Sequence, residues 1–200
     1  MDLNPLRLSM RAQRAQLGEL VQQLAADSAF YLAQNSNLLD NVQHAAFYHP
    51  YMGEISPLRL MEQAMSQDIH CYLPSMSEER EQPLVFRRIN NETELKQHHW
   101  GIVQPGEDAE EIAAQQLDLV LVPLVAFDRQ GNRLGMGKGY YDRTFAFLNQ
   151  PQRTDKPRLI GMAYDFQEVA QLTPNRWDVA LDGLLTDTRY LDFGSDRNNS

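Results

Sequence analysis

The spacing of apolar residues changes several times along this chain, and each change marks a predicted element. Leu6, Met10, Leu17, Val21 and Leu24 recur at helical intervals, which predicts an amphipathic helix running to about Ala26. Ala45 to Tyr48 then reads as a short strand, followed by the loop HPYMGE with its Pro and Gly. Glu54 precedes a helical stretch in which Leu58, Met61 and Met65 share a face. Ile69 to Leu73 and Leu84 to Ile89 read as strands. Leu119 to Val122 is an unbroken aliphatic run, the pattern of a central strand covered on both faces. Leu159 to Tyr164 is a further strand, Glu168 to Leu172 a short helix, and Leu184 to Thr186 a last strand.

Strands therefore alternate with helices through most of the chain. That order predicts an α/β fold: a three-layer domain with a mostly parallel sheet flanked by helices. Two hundred residues suffice for one such domain. We assign it residues 1–193 and read the tail 194–200, GSDRNNS, as disordered.

Charge and composition narrow the function. The formal net charge of -9 argues against a general nucleic-acid binder, which needs a basic footprint. The single cysteine, Cys71, lies in the apolar stretch IHCYLP and reads as a buried strand residue in a reducing compartment. Arg7, Arg11 and Arg14 interrupt any apolar signal core, and the longest nearly apolar run, Leu119 to Phe127, is too short to span a bilayer. The expectation is a cytoplasmic monomer with no membrane or nucleic-acid partner, acting on a small molecule. The three arginines stand at intervals of four and three in an acidic chain. They form either a solvated helix face or an anion site.

The chemistry concentrates in Asp128 to Arg143, DRQGNRLGMGKGYYDR. Gly131, Gly135, Gly137 and Gly139 are four of the chain's eleven glycines. Glycine at alternate positions weakens helix and strand alike, and is useful where backbone N–H groups must approach an anion closely. Lys138 sits between two of them, Arg133 and Arg143 flank them, and Tyr140 to Phe147 would start a helix towards a bound phosphate. The spacing fits neither Walker A nor the dinucleotide fingerprint. DRQGN is also a good turn signal, but a turn needs one or two glycines. Asp142 is placed to hold magnesium beside phosphate oxygens; Asp178, in NRWDVALD, is either a second ligand or a capping residue. The five histidines show no metal-ligand spacing, and His98-His99 reads as surface.

LDLVLVPLVAFDRQGNRLGMGKGYYDRTFAFL resembles the signature of the 5-formyltetrahydrofolate cyclo-ligase family. WGIVQPGED, FYHPYMGEI and NRWDVALDGLLT resemble its other motifs, in order along the chain. The resemblance implies a fold like that of ribose-phosphate isomerases and CoA-transferases. It implies conversion of 5-formyltetrahydrofolate and ATP to 5,10-methenyltetrahydrofolate, ADP and phosphate. By position, Arg7 and Arg133, Leu134, Gly135, Met136, Gly137, Lys138, Gly139, Tyr140 and Tyr141 would contact ATP, with Lys138 and Arg133 catalytic. Met136 to Tyr140 would also border the folate, Glu54 would bind its pterin with His49 nearby, and Asp142 and Asp178 would hold Mg²⁺. The sequence departs from the family at Leu3, where many members carry lysine, at Leu124, in place of a common glycine, and at Met136, a variable loop position. Read without the family, Glu54 is equally a first-turn helix glutamate favoured by the macrodipole.

The implied chemistry suits these residues. A formamide oxygen leaves poorly until it is phosphorylated, after which the neighbouring folate nitrogen can close the ring. The protein then supplies positioning and charge neutralisation, with no general base required. A sugar-phosphate isomerase would need a carboxylate base that the sequence does not offer. A nucleotide sensor would have less need of two magnesium ligands.

Overall fold

The computed structural model describes residues 3–76, 82–98, 101–150 and 156–194. His99 and Trp100 fall outside these ranges, as does the tail beyond Gly194.

Two helices open the chain, α1 (Asn4–Ala15) and α2 (Glu19–Asn35). The apolar spacing predicted one helix to about Ala26. Gly18 divides it, taking an extended conformation (φ -68°, ψ 155°) as the N-cap of α2, whose first turn carries Glu19. Val21 and Leu24, predicted to face inward, are exposed; α2 buries Ala25, Ala26, Ala29, Phe30 and Ala33 instead. This alanine face contrasts weakly with its surroundings in sequence, yet lets the helix lie close to the sheet.

β1 (His44–Ala46), α3 (Leu58–Ser66), β2 (His70–Ser75) and β3 (Val85–Ile89) come next. In α3 the buried line is Leu60 and Ala64, with Met61 and Met65 packed beside it. β4 (Leu95–Gln97) and β5 (Val103–Pro105) form a small ribbon, and β6 (Glu111–Ile112) edges the main sheet. β7 (Leu119–Pro123) leads into a hairpin of β8 (Ala126–Phe127) and β9 (Arg133–Leu134). After α4 (Tyr140–Thr144) come β10 (Arg158–Met162), β11 (Gly183–Leu185) and β12 (Tyr190–Asp192). The helix predicted over Glu168 to Leu172 does not form. A single 3₁₀ turn at Asp165–Gln167 stands just before it, and the Val169 N–H bonds instead to the Phe127 carbonyl at 2.8 Å.

The main sheet has the order β12-β11-β10-β7-β1-β2-β3-β6. The five strands β11, β10, β7, β1 and β2 run parallel, and antiparallel strands close both edges. The predicted mostly parallel α/β sheet is therefore present. Alternation along each strand sorts side chains onto two faces. Ala45, Leu119, Leu121 and Ile160 meet α2 and α3, while Ala46, Val120, Val122 and Leu159 meet Phe127, Phe145, Leu148 and Leu181. Leu119 to Val122 are wholly buried, as expected of a strand covered on both sides. α1 lies against the hairpin, with Met10 packed among Val125, Ala126, Leu134 and Leu172. Cys71 is buried in β2, and burial pushes its thiol up to about 12.

Candidate active site

Between β1 and β7 the strand order reverses: the chain passes from β1 to β2 on one side and from β7 to β10 on the other. Open α/β sheets hold ligands at the carboxyl ends of the strands flanking such a point. Here those ends open into a cleft of about 990 Å³. Tyr48 and His49 follow β1, Pro74 and Met76 stand at the end of β2, and Pro123 and Leu124 at the end of β7. Single small-molecule sites run to roughly 300–1,000 Å³, so this cleft has the volume for a large ligand or for two adjoining ones.

Arg7, His49, Glu54, Arg133 through Tyr141, Asp142 and Asp178, singled out from the sequence, all line this one cleft, whereas Arg14 and Gly131 do not. Its charged lining comprises the cations Arg7, Arg11, Arg133, Lys138, Arg143 and Arg176 against the carboxylates Glu54, Asp142 and Asp178. In a protein of net charge -9 this is a local inversion of sign, suited to a polyanionic ligand.

The loop between β9 and α4 forms one wall. Gly137 (φ 92°) and Gly139 (φ 65°) occupy left-handed conformations that other residues adopt only at a cost. Gly139 is the N-cap of α4, and the Arg143 guanidinium donates to the Lys138 carbonyl at 2.7 Å. The loop is thus folded back on itself with its lysine on the cleft lining. The first of the four glycines, Gly131, serves a different purpose. It turns the β8–β9 hairpin, where buried Asp128 accepts the N–H groups of Gln130 and Asn132 at 3.0 Å each. The turn signal thus belongs to the hairpin, and the glycines read as a phosphate loop form the separate segment that follows it.

The arginine stripe of α1 faces the cleft side of the molecule. Arg7 donates from Nε to the Gly135 carbonyl at 2.9 Å, fastening α1 to the glycine loop. Arg11 also lines the cleft and reaches Met52 Sδ at 3.3 Å. Arg14 is 1% exposed and lies beneath the lining. Leu3, four residues before Arg7, brings an apolar side chain to the cleft lining.

Glu54 ends a turn in which its own N–H bonds to the Tyr51 carbonyl at 3.2 Å, while its Oε2 accepts the Tyr51 N–H at 3.1 Å. α3 begins only at Leu58, so Glu54 precedes the helix and is not in its first turn. Burial pushes the Glu54 carboxyl up to about 7, against the opposing pulls of Arg14 and the Tyr51 N–H. Burial, with Glu54 nearby, likewise raises the Tyr48 and Tyr141 phenols.

Asp142 and Asp178 stand on opposite elements of the cleft, α4 and the loop before β11. Asp142 Oδ1 accepts Arg133 Nη2 at 2.6 Å and the Val179 N–H at 3.1 Å; Asp178 Oδ2 accepts the Asn175 N–H at 2.8 Å. Among the described residues no cluster of three or more His, Cys, Asp or Glu is positioned to hold a metal. Two hard carboxylates on one cavity still match the needs of magnesium, which takes one or two carboxylates and completes its shell with phosphate oxygens and water.

Sequence reasoning did not single out Tyr48, Tyr51 or Trp177 as cleft residues. Trp177 is 60% exposed on the cleft lining, held through its carbonyl by Asn149 at 3.4 Å. In sequence the available signal was a tryptophan immediately before a candidate metal ligand.

The cleft and its loop can be set beside known proteins. The model of the 5-formyltetrahydrofolate cyclo-ligase family matches residues 3–187. The 5-formyltetrahydrofolate cyclo-ligase of Haemophilus influenzae is 35% identical over 181 residues, covering 90% of this chain and 95% of that protein. That of Escherichia coli K12 is 32% identical over 149 residues, covering 74% and 80%. The solved structure of Aquifex aeolicus 5,10-methenyltetrahydrofolate synthetase superposes with a TM-score of 0.80 at 27% identity, covering 96% of this chain and 93% of that one. The Mycoplasma pneumoniae 5,10-methenyltetrahydrofolate synthetase gives 0.72 at 25% identity, covering 94% and 99%. With a family match across residues 3–187 and a relative 35% identical over nearly its whole length, the chain belongs to the 5-formyltetrahydrofolate cyclo-ligase family.

Proposed function

We propose that this cleft converts 5-formyltetrahydrofolate to 5,10-methenyltetrahydrofolate with consumption of ATP and release of ADP and phosphate. The observation that carries the reading is the meeting of a lysine-bearing glycine loop, two acidic side chains and a separate buried carboxylate in one cleft. The phosphate end falls to Arg7, Arg133, Lys138 and the backbone from Leu134 to Tyr141. The folate end falls to Glu54 and His49, with Met136 to Tyr140 between the two.

A pterin carries adjacent ring N–H and amino donors, which a carboxylate can accept as a charge-assisted pair. Glu54 is suited to this because both its turn and its burial fix it in place. Lys138 and Arg133 bring positive charge to the region where the γ-phosphoryl group is transferred to the formyl oxygen, the kind of stabilisation on which phosphoryl transfer mainly depends. The phosphorylated oxygen then departs as phosphate when the neighbouring folate nitrogen bonds to the formyl carbon. Asp142 and Asp178 would hold Mg²⁺, which supplies further neutralisation of phosphate charge. The apolar and aromatic lining, including Tyr48, Pro123 and Tyr141, limits the access of water to the activated formyl group.

In this reading residues 1–193 act as one catalytic domain in the cytoplasm, as a monomer, with a small-molecule substrate and no nucleic-acid or membrane partner. The test is to mix purified protein with 5-formyltetrahydrofolate and Mg-ATP and follow methenyl absorbance together with ADP. Equal amounts of both products are expected. ATP turnover indifferent to folate, or none from folded protein, overturns the proposal.

A further inference from the structure

We infer that Arg14 is a positioning residue for Glu54, fixing the carboxylate from beneath the cleft without itself touching substrate. The inference rests on the reading of Glu54 as the pterin contact.

Of the three arginines on the inner stripe of α1, Arg7 and Arg11 line the cleft and Arg14 does not. Its side chain is 1% exposed. Its guanidinium donates from Nη1 to the Leu124 carbonyl at 3.3 Å, and Leu124 is the residue that follows β7. Among the described residues, Nε and Nη2 are buried with no hydrogen-bond partner. Burying a guanidinium so incompletely satisfied is costly unless a nearby charge compensates it. Glu54 Oε1, 3.9 Å from Nη1, is that charge. At this distance the two attract without a close hydrogen bond, so the carboxylate keeps lone pairs for a ligand.

The backbone repeats the relationship. Glu54 follows Met52 and Gly53, whose φ values of 50° and 74° make a tight turn of left-handed residues. That turn sits directly on α1: a Cβ added to Gly53 would lie 3.2 Å from the Arg14 carbonyl oxygen. One residue of α1 thus lies close to the turn through its backbone and close to the carboxylate through its side chain. Anchoring α1 to Leu124 alone would require neither contact.

The test is a double-mutant cycle on the full chain using Arg14→Met, Glu54→Gln and the pair. Folate KM is measured in turnover, ATP Kd in the absence of folate, and folding by thermal melting. Arg14→Met is expected to raise folate KM at least about tenfold while leaving ATP Kd within about twofold. The double variant should be no worse for folate than Glu54→Gln alone, because the two residues act as one unit. Arg14→Lys, which keeps the charge but shortens the reach, should recover part of the loss; it carries the same cycle with a smaller rise if Arg14→Met does not fold. Effects on folate KM that multiply overturn the inference, as does an Arg14 variant with wild-type folate KM while Glu54→Gln is impaired. If Glu54→Gln itself leaves folate KM unchanged, the pterin reading falls and the inference falls with it.

Discussion

The guanidinium of Arg133 and the carboxylate of Asp142 are joined at 2.6 Å, which ties the residue before the glycine loop to the one after it. Arg133 also donates through Nη1 to the Val179 carbonyl, and Asp142 accepts the Val179 N–H. Asp142, read as a magnesium ligand, is therefore also a structural link between α4 and the loop leading to β11. Asp142→Asn should act twice. With less charge on the site, the magnesium concentration for half-maximal activity should rise about tenfold, with folate affinity unaffected. Because Arg133 loses its counter-charge, the melting temperature should also fall by about 2–4 °C, even in chelator, as for a loss of about 1 kcal/mol. A normal magnesium curve would reduce Asp142 to the structural role alone.

Lys138 should behave differently. It lies between left-handed Gly137 and Gly139 on the cleft lining and contributes little to the core. Lys138→Ala should cost roughly 10²–10³ in kcat/KM with an unchanged melting temperature, as expected when a preorganised charge donor is lost. Steady-state kinetics alongside melting curves decide this; near-wild-type activity would make Lys138 a surface residue and remove the phosphate reading of the loop.

Much of this arrangement was legible in the chain, and the failures share a cause. The aliphatic run from Leu119 to Val122 identified the central strand because burial on both faces leaves a continuous signal. The glycine loop was legible because its requirements are local backbone requirements. The division of the first helix was missed because Val21 and Leu24 continue a helical period without facing the core, and the alanines that do face it carry little contrast. The Arg14–Glu54 pair joins residues forty positions apart, so no local pattern could reveal it. The stripe of Arg7, Arg11 and Arg14 was visible; its division into two lining residues and one buried one depends on how α1 seats against the hairpin.

Gly131 was grouped in sequence with the phosphate loop, but its φ of 81° belongs to the hairpin turn. A Cβ there would stand 3.0 Å from the Leu181 carbonyl oxygen and 3.1 Å from the Phe193 ring. Gly131→Ala combines the left-handed penalty of about 1–2 kcal/mol with a backbone clash, so the loss should exceed that range. Denaturant unfolding should show this, while ATP affinity at a temperature where the variant is folded stays close to wild type. A large loss of ATP affinity without a loss of stability would return Gly131 to the phosphate loop.

The Glu54 carboxyl gives a pH dependence whose sign follows from its surroundings. It faces Arg14 from α1, Tyr48 after β1, Tyr141 from α4 and Tyr164 after β10, and burial outweighs the arginine's pull. Its pKa rises from 4.5 to about 7 in the folded protein. Between these values the folded state keeps a proton that the unfolded state has lost, so this group lowers stability as pH rises from 4.5 to 7 and holds it down above that. The full effect is about 3 kcal/mol at most. Glu54→Gln removes this titration, so the stability difference between variant and wild type should move in the variant's favour from pH 4.5 to 7 and stay constant above, offset by the cost of leaving buried Arg14 without its carboxylate. Folate binding should run the opposite way, since only the carboxylate can accept both pterin donors. Below about pH 7 the wild-type folate Kd should weaken, approaching tenfold per pH unit, as the group protonates. In Glu54→Gln it should be weaker at neutral pH and nearly flat. Titrating folate against both proteins between about pH 5.5 and 8, with melting curves at each pH, separates the two effects. A wild-type affinity that does not change with pH would mean that the pterin does not meet an ionised Glu54.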